Sequence, residues 1–319
     1  MTCRICHNQE NNTTYLGREM YFGFRDEFEY FQCSSCGCLQ IARFPDNLSK
    51  YYPKEYGAYK LHEKVHEHKI IRYLKRKKLE NSLGINHNPV GFLLNLIIDK
   101  GFIKYLRPAN ITIESSILDV GTGHGSRLIG LKKKGFMNLT GIEPFIEQDI
   151  EYDIGVKVYK KLLSEFDGQY DFVMLNHSFE HMPDPLQAMK DVYRLLKNER
   201  IALIRIPLAD SLAWEKYKTN WMAMDPPRHF FLHTRKSMKI LAEQAGFSIT
   251  DVIYDSKDFQ YAASEQLVRD IPLLAPNSYY LNRKSSIFTR SDLRKFAKMA
   301  KELNRTKQGD TACFYLYKR

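Results

Sequence analysis

The chain has 319 residues, enough for one large domain or two modest ones. Its hydrophobic fraction of 44% is ordinary for a globular protein, and its formal net charge is +11. No apolar run reaches the length of a membrane span, since the best candidate, Val90 to Ile98, has nine residues and includes Asn95. The N-terminus lacks the apolar core of a signal peptide, so a cytoplasmic protein is expected.

The positive charge is concentrated partly between Lys60 and Lys78, where eight basic residues accompany two acidic ones. Such a run is usually a solvated helix face, and it could also steer an anionic substrate. No base-stacking module or RNA-binding motif accompanies it. The charge is therefore compatible with anionic substrates and does not favour nucleic acid as a partner.

Five of the six cysteines lie in the first 38 residues, and four of them form the pairs Cys3-x-x-Cys6 and Cys33-x-x-Cys36. Each pair places two thiolates on one tight turn, and two such turns together make the tetrahedral four-sulfur site that suits Zn²⁺. Disulfides or free thiols are the alternative, and disulfides are not expected in a cytosolic chain.

Two other side chains near these pairs, Cys38 and His7, are weaker alternatives as metal ligands because their spacing fits less well. Residues 27–32 between the pairs alternate as a strand does. The sequence thus predicts a zinc ribbon in residues 1–44. Because four protein ligands leave no open coordination position, the predicted metal is structural.

The rest of the chain divides into a connecting segment and a larger domain. Residues 45–110 are predicted to be tyrosine-rich and helical, and residues 111–319 form the larger domain, with insertions at 207–234 and 255–310. The tyrosines of residues 45–60 either form a pocket wall for a polar ring or sugar, or pack the ribbon against the next domain. The sequence does not separate these two alternatives.

The larger domain alternates strands and helices, which predicts a doubly wound, seven-stranded α/β sheet. The strand predicted at 169–176 is a nearly unbroken apolar run, typical of a parallel strand that is buried on both faces. The strand at 117–120 leads into a glycine-dense turn and a helix, and the next strand ends at Glu143. This order indicates a Rossmann-like nucleotide-binding unit.

The glycine-dense turn, residues 121–125 (GTGHG), departs from the dinucleotide fingerprint because Ser126 stands where a third spaced glycine would be. Asp119, just before the turn, would repel a pyrophosphate and suits a ligand with an ammonium group. Glu143 could accept hydrogen bonds from both hydroxyls of a ribose. S-adenosylmethionine, which combines an amino acid, a sulfonium, a ribose and an adenine, meets these requirements.

The stretch 116–144 resembles motif I of class I S-adenosylmethionine-dependent methyltransferases. The segment 170–197 resembles the methyltransferase family with the "EHxxDP" signature. RHFFLHT and the N-terminal cysteines make the chain similar to bacterial methyltransferases of sugar and polysaccharide pathways. The cofactor contacts that this resemblance implies are Asp119, Gly121, Thr122, Gly123, Gly125, Glu143, Pro144, Asn176 and His177.

Methyl transfer to an oxygen or nitrogen atom requires removal of a proton, and histidine is the side chain tuned for this near neutral pH. The histidines near the expected ligand edge are His177, His181, His229 and His233. We predict His181 and His229 as the catalytic residues, with Glu180 nearby. A product methylated on carbon would require a Tyr–His pair instead.

The sequence therefore predicts a methyltransferase that uses S-adenosylmethionine, carries structural Zn²⁺ and acts on a small molecule: a sugar, a sugar nucleotide or a glycan intermediate. The alternative is an RNA methyltransferase that grips nucleic acid with the ribbon and the basic helix, and its binding would fall steeply with salt. A non-catalytic protein that keeps the fold is disfavoured by the presence of Asp119, the glycines and Glu143. The oligomeric state is left open.

Overall fold

The structure, a computed structural model, describes residues 1–53, 69–84, 89–90, 92–93, 101–284 and 286–319. Tyr56, Tyr59 and the first half of the basic run at 60–78 lie outside the described residues. Among the residues that are described, no helix is long and apolar enough to cross a membrane.

The strands and helices of the described chain are numbered here in chain order. The strands are β1 (Thr13–Arg18), β2 (Glu27–Gln32), β3 (Leu39–Ile41), β4 (Ser116–Val120), β5 (Asn138–Ile142), β6 (Ile150–Tyr152), β7 (Val156–Tyr159), β8 (Tyr170–Asn176), β9 (Leu196–Pro207), β10 (Phe231–Leu232), β11 (Phe247–Tyr254) and β12 (Thr311–Lys318). The helices are α1 (Lys69–Leu83), α2 (Ser126–Lys134), α3 (Pro185–Leu195), α4 (Leu212–Tyr217), α5 (Arg235–Gln244), α6 (Asp258–Val268) and α7 (Arg290–Arg305).

The large sheet has the strand order β11-β12-β9-β8-β4-β5-β7-β6. The neighbours from β9 to β7 are parallel, whereas β12 is antiparallel to both β9 and β11. All seven predicted strands are present in this mixed sheet. The predicted count is short by one, because the acidic segment after β5 adds the three-residue edge strand β6, which is too short and polar to show a strand period in the sequence.

Side chains from the parallel strands are buried on both faces of this sheet, as the apolar runs predicted. Ile117 and Phe172 belong to one buried cluster, together with Leu128 of α2. Leu118, the next residue along β4, belongs to a second buried cluster with Met189 of α3. Because successive strand residues point to opposite faces, helices cover both sides, which is the doubly wound arrangement.

The small sheet, in the order β1-β2-β3-β10, contains the strand predicted at 27–32 as β2, the two unpredicted strands β1 and β3, and one strand from the insertion at 207–234. In the register between β10 and β3, Phe231 pairs with Gln40. Buried residues of the small sheet, such as Tyr30, share one continuous cluster with Leu175 of the large sheet. The small sheet is therefore packed directly against the large sheet, and segment 207–234 contributes a strand to it.

The helix ends follow the capping residues in the sequence. Asp184 precedes α3 and accepts a hydrogen bond from the backbone N–H of Gln187 at 2.9 Å. Thr234 caps α5, and Gly246 follows that helix with a φ of +91°. Thr289 caps α7 in the same way.

Candidate functional site

The glycine-dense turn joins β4 to α2 and takes backbone angles that favour glycine. Gly121, Gly123 and Gly125 have φ values of +71°, +57° and +76°. A Cβ atom on Gly121 would lie 2.4 Å from the Cβ of Ser178, in the loop after β8. Both the turn conformation and this close approach therefore exclude a larger residue at Gly121.

Asp119 is almost completely buried at the end of β4, and its Oδ2 accepts a hydrogen bond from the Thr122 hydroxyl at 2.8 Å. Burial raises the pKa of Asp119, while the charge of Arg127 and the Thr122 hydroxyl act in the opposite direction. From the sequence, the Asp119 carboxylate is expected to meet a ligand ammonium group. In the structure, it also holds the turn by accepting the Thr122 hydroxyl, and the positive charge of Arg127 on α2 partly compensates its negative charge.

Glu143 lies directly after β5 with its carboxylate turned toward the glycine turn. Its Oε2 accepts the backbone N–H of Gly123 at 3.0 Å, and its Oε1 accepts the N–H of Phe145 at 3.2 Å. Burial raises the pKa of Glu143, and the two backbone donors oppose that effect. Each oxygen keeps a further lone pair, so the carboxylate fits the predicted role of accepting two ribose hydroxyls.

The end of β8 brings two more predicted cofactor residues to the same edge. Asn176 reaches Arg127 of α2: with its amide oxygen facing the guanidinium, the oxygen accepts from Nη2 at 2.6 Å and from Nη1 at 3.1 Å. His177 has a φ of +53°, and its backbone N–H donates to the Arg205 carbonyl at 2.9 Å. The predicted cofactor residues therefore follow three adjacent parallel strands, β4, β5 and β8.

The His177 ring connects the edge of the sheet to Glu180. Arg205 is always a donor, so its short contact to Nε2 makes that nitrogen the acceptor. Nδ1 then carries the proton and donates to Oε1 of Glu180 at 3.2 Å. Burial lowers the pKa of His177, consistent with this neutral tautomer. His177 was predicted as a cofactor contact, and the structure also makes it a support for Glu180.

The three predicted catalytic side chains lie together. One carboxylate oxygen of Glu180 and one ring nitrogen each of His181 and His229 lie within 4.8 Å of one another. Glu180 and His181 sit in a 3₁₀ turn after β8, and His229 comes from the 207–234 insertion. The two rings pack edge to face with their centroids 4.7 Å apart.

Backbone carbonyls fix the tautomers of both imidazoles when they are neutral. Nδ1 of His181 lies 2.7 Å from the carbonyl oxygen of Arg228, and Nδ1 of His229 lies 2.7 Å from that of Ala223. A carbonyl only accepts, so each Nδ1 carries the proton and each Nε2 keeps a lone pair. Nε2 of His229 lies 4.0 Å from Oε1 of Glu180.

The electrostatics of this group favour an ionised Glu180. Burial alone would raise the pKa of Glu180, but the hydrogen bond from His177 and the neighbouring histidine charges outweigh it and bring the pKa to about 2. Burial lowers the pKa of His181, and the charge of His229 acts in the same direction. Glu180 is fully buried, and its Oε2 has no hydrogen-bond partner among the described residues.

Two tyrosines of residues 45–60 are described by the structure, Tyr51 and Tyr52, and they take different roles. The Tyr51 hydroxyl donates at 2.6 Å to Asp26, directly before β2, so Tyr51 packs against the small sheet. The Tyr52 hydroxyl lies 3.2 Å from Nδ1 of His181, and its ring stacks on Phe145 with centroids 6.0 Å apart. Tyr52 therefore borders the candidate site.

The charged residues that hold His177 and His229 in place were not predicted from the sequence. Arg205 of β9 pairs with Asp255 at 2.7 Å, and the Tyr105 hydroxyl donates to the same carboxylate at 2.7 Å. Arg228, the residue before His229, forms ion pairs with Glu19 and with Asp225. The RHFFLHT motif contains Arg228, but nothing in the sequence indicates its partner far away in the chain.

The aromatic side chains of the insertion at 207–234 are largely buried. Trp214 and Trp221 are buried, and the Trp221 indole donates to Asp310 at 2.9 Å. His233 is also fully buried, stacks on Phe179, and has its pKa lowered to about 3 by burial. These side chains pack the insertion into the core, and His229 is the insertion's contribution to the cluster.

The four predicted zinc ligands come together at one end of the small sheet. Their sulfur atoms lie within 4.8 Å of one another, with Cys3 and Cys36 at 3.6 Å and Cys6 and Cys33 at 3.5 Å. These distances exclude disulfides and are close to the ~3.8 Å that ~2.3 Å zinc–sulfur bonds give in a tetrahedron. The four thiols therefore fit a zinc ion.

Cys38 and His7, the weaker alternatives, are not members of this four-sulfur group. Cys38 is buried, and its sulfur lies 4.0 Å from Nδ1 of His233 instead.

Comparisons with known proteins agree with this geometry. The methyltransferase domain family matches residues 66–252, more than half of the chain. A zebrafish (Danio rerio) protein named EEF1A lysine methyltransferase 2 is 46% identical over 41 residues, which span 13% of this chain and 18% of that relative.

Two solved structures resemble this chain at lower sequence identity. A SAM-dependent methyltransferase from Archaeoglobus fulgidus is 18% identical, with a TM-score of 0.42 over 72% of this chain and 100% of that chain. A cyclopropane synthase from Mycobacterium tuberculosis is 16% identical, with a TM-score of 0.44 over 77% of this chain and 93% of that chain.

The family match covers the glycine turn, Glu143 and the Glu180–His181 loop, which the fold brings to one edge of the sheet. The chain therefore belongs to the methyltransferase domain family.

Proposed function

We propose that this methyltransferase acts on a small polar acceptor: a sugar, a sugar nucleotide or a glycan intermediate. The observation that carries the proposal is the contact between the cofactor turn and the loop that holds the histidine cluster. Gly121 approaches Ser178 so closely that no side chain fits between them, and Glu180 and His181 follow within the same loop. The two halves of a methyl-transfer site would thus be adjacent.

The cofactor half is formed by the turn and the ends of β5 and β8. S-adenosylmethionine supplies a methyl group activated by its sulfonium. Glu143 would hold the ribose hydroxyls, since each of its oxygens already accepts one backbone N–H and keeps a lone pair. The remaining proposed contacts are Asp119, Gly121, Thr122, Gly123, Gly125, Pro144, Asn176 and His177.

The acceptor half would be formed by Glu180, His181 and His229. Transfer to an oxygen or nitrogen atom releases a proton, and a positioned base typically contributes ~10²–10⁴-fold to the rate. Nε2 of His181 and Nε2 of His229 each keep a lone pair in the neutral tautomer, so either can receive that proton. Holding the acceptor in line with the methyl group would supply much of the remaining acceleration.

Tyr52 supports a ring-shaped polar acceptor. Its ring stacks on Phe145, which is exposed, and its hydroxyl reaches His181. An aromatic face with a polar edge suits a sugar ring, which presents both C–H and O–H groups. Tyr52 and His181 also give the Tyr–His pair that methylation of a carbon atom would require.

The N-terminal cysteines would hold one structural zinc ion. Cys3, Cys6, Cys33 and Cys36 supply four sulfur ligands and leave no position for a substrate. The ion would stabilise the small sheet, whose fourth strand comes from the insertion that carries His229.

The test is transfer of a labelled methyl group from S-adenosylmethionine to a panel of nucleotide sugars, glycans, structured RNAs and lysine-containing proteins. We expect label in the sugar arm, with turnover that falls ~10²–10⁴-fold in His229→Gln while calorimetric affinity for S-adenosylmethionine is kept. Glu143→Ala should lose that affinity. Label in RNA with a steep dependence of binding on salt would support the nucleic-acid alternative and contradict the sugar proposal.

A further inference from the structure

We propose that Glu180, His181 and His229 form a binding site for a divalent transition-metal cation, separate from the four-cysteine site. The group offers two imidazole nitrogens and one carboxylate oxygen within 4.8 Å of one another. Two histidines and a carboxylate are a common ligand set for first-row divalent metals, and three protein ligands leave positions open for a substrate atom or water.

The hydrogen bonds around the group supply the first argument. Both Nδ1 protons are directed to backbone carbonyls, those of Arg228 and Ala223, at 2.7 Å each. In known metal sites, a ligating histidine almost always donates its other ring N–H to a carbonyl or carboxylate, which fixes the ring and leaves the ligating nitrogen bare. His181 and His229 both have this arrangement.

The carboxylate supplies the second argument. Glu180 is fully buried and ionised, and its Oε1 is held by the Nδ1–H of His177. Its Oε2 is buried without a hydrogen-bond partner in the part of the chain that the structure describes. An unpaired oxygen on a buried carboxylate is costly, and a coordinated cation would satisfy it.

The position of His229 between two carboxylates also favours a cation. Nε2 of His229 lies 4.0 Å from Oε1 of Glu180 and 3.9 Å from Oδ2 of Asp225, so this ring nitrogen faces two carboxylates. Both Asp225 oxygens already accept from Arg228, so Glu180 is the carboxylate left to share a ligand with His229. A cation at this position would also contact His181.

A bound cation would change the role of the two histidines. Their nitrogens would hold the cation, and the acceptor hydroxyl would take an open coordination position. Coordination makes a hydroxyl more acidic, so its proton could leave to water while its oxygen keeps the electron pair. The histidines would then position the acceptor rather than receive its proton.

The test is a Mn²⁺ titration of the zinc-loaded protein, with free Mn²⁺ measured by electron paramagnetic resonance and without acceptor or S-adenosylmethionine. Mn²⁺ prefers oxygen and nitrogen ligands and does not displace zinc from four thiolates. We expect one Mn²⁺ per chain, at least ~tenfold weaker binding in Glu180→Gln and in His229→Gln, and wild-type binding in Glu151→Gln, an exposed carboxylate on β6. Co²⁺ added as a competitor should release bound Mn²⁺, because it binds such ligands more tightly.

Absence of saturable binding for both ions, or equal binding in the wild type and the cluster variants, would overturn the proposal. If Glu180→Gln fails to fold, His229→Gln and His181→Gln carry the test. Because no substrate is present, the result is independent of the acceptor. If the protein binds Mn²⁺ but methylates no sugar, the metal-site proposal stands and the sugar proposal is contradicted.

Discussion

Arg228 and Glu19 form an ion pair in which Nη2 lies 2.9 Å from Oε1, and both side chains are fully buried. Glu19 lies directly after β1 of the small sheet, and Arg228 directly precedes His229. The Glu19 carboxylate also accepts four backbone N–H groups from the turn that follows it. This pair therefore links the small sheet to the segment that carries His229.

Replacing Glu19 with Gln should lower the free energy of unfolding by ~3–5 kcal/mol, because Arg228 would keep a buried charge with one counter-ion fewer. The measurement is urea unfolding of the zinc-loaded protein. Glu151→Gln is the matched control: its exposed pair with Lys157 is screened by solvent, so its loss should leave stability almost unchanged. A Glu19→Gln variant as stable as the control would contradict the structural role of the pair.

Gly121→Ala should destabilise the chain by ~1–3 kcal/mol and weaken binding of S-adenosylmethionine, because the new Cβ would meet the Cβ of Ser178 at 2.4 Å in a backbone with φ of +71°. Gly130→Ala in α2 is the control. A Cβ there meets nothing within 4 Å, so it should stabilise the helix by ~0.5–1 kcal/mol. Adding Ser178→Gly to Gly121→Ala should recover part of the loss, and strictly additive effects would show that the two positions are not in contact.

Purified protein should contain one zinc ion per chain, measured by elemental analysis. Cys6→Ser should lose the ion and lower the melting temperature, because the small sheet would lose a ligand of its metal site. Cys38→Ser should keep the ion, since the Cys38 sulfur lies outside the group. Loss of zinc in Cys38→Ser with retention in Cys6→Ser would reverse the assignment of the ligands.

Asp171 should make stability depend on pH below about 4. Burial opposes its ionisation, but hydrogen bonds from Ser116 and the ammonium of Lys197 outweigh burial and lower its pKa from 3.8 to about 2. A carboxyl whose pKa is lower in the folded state stabilises the protein above the unfolded pKa and loses that contribution as pH falls through the folded one.

The measurement compares the unfolding free energies of the wild type and Asp171→Asn at two pH values. We expect a difference of ~2 kcal/mol at pH 6 and about half of that at pH 3. The comparison between the two proteins removes contributions that they share, including the acid sensitivity of the cysteine site. A difference that grows as the pH falls would have the wrong sign for a lowered pKa.

The sequence alone was sufficient for features that depend on short spacings. The cysteine pairs, the glycine turn with Glu143, and the strands of the large sheet follow from local period and residue type, and the structure confirms that the four cysteines cluster and that the strands pair. A turn that needs φ > 0, or two thiolates on one turn, is determined by neighbours in the chain.

Only the tertiary structure decided which distant groups meet. Arg228 and Glu19 are 209 positions apart, and β10 joins a sheet whose other strands lie in the first 41 residues. Trp221, in the insertion at 207–234, is buried and donates to Asp310. Sequence periodicity shows which face of a helix or strand is apolar, but it does not show which partner covers that face. These contacts, including the one between His229 and Glu180, therefore depend on how the helices and strands pack.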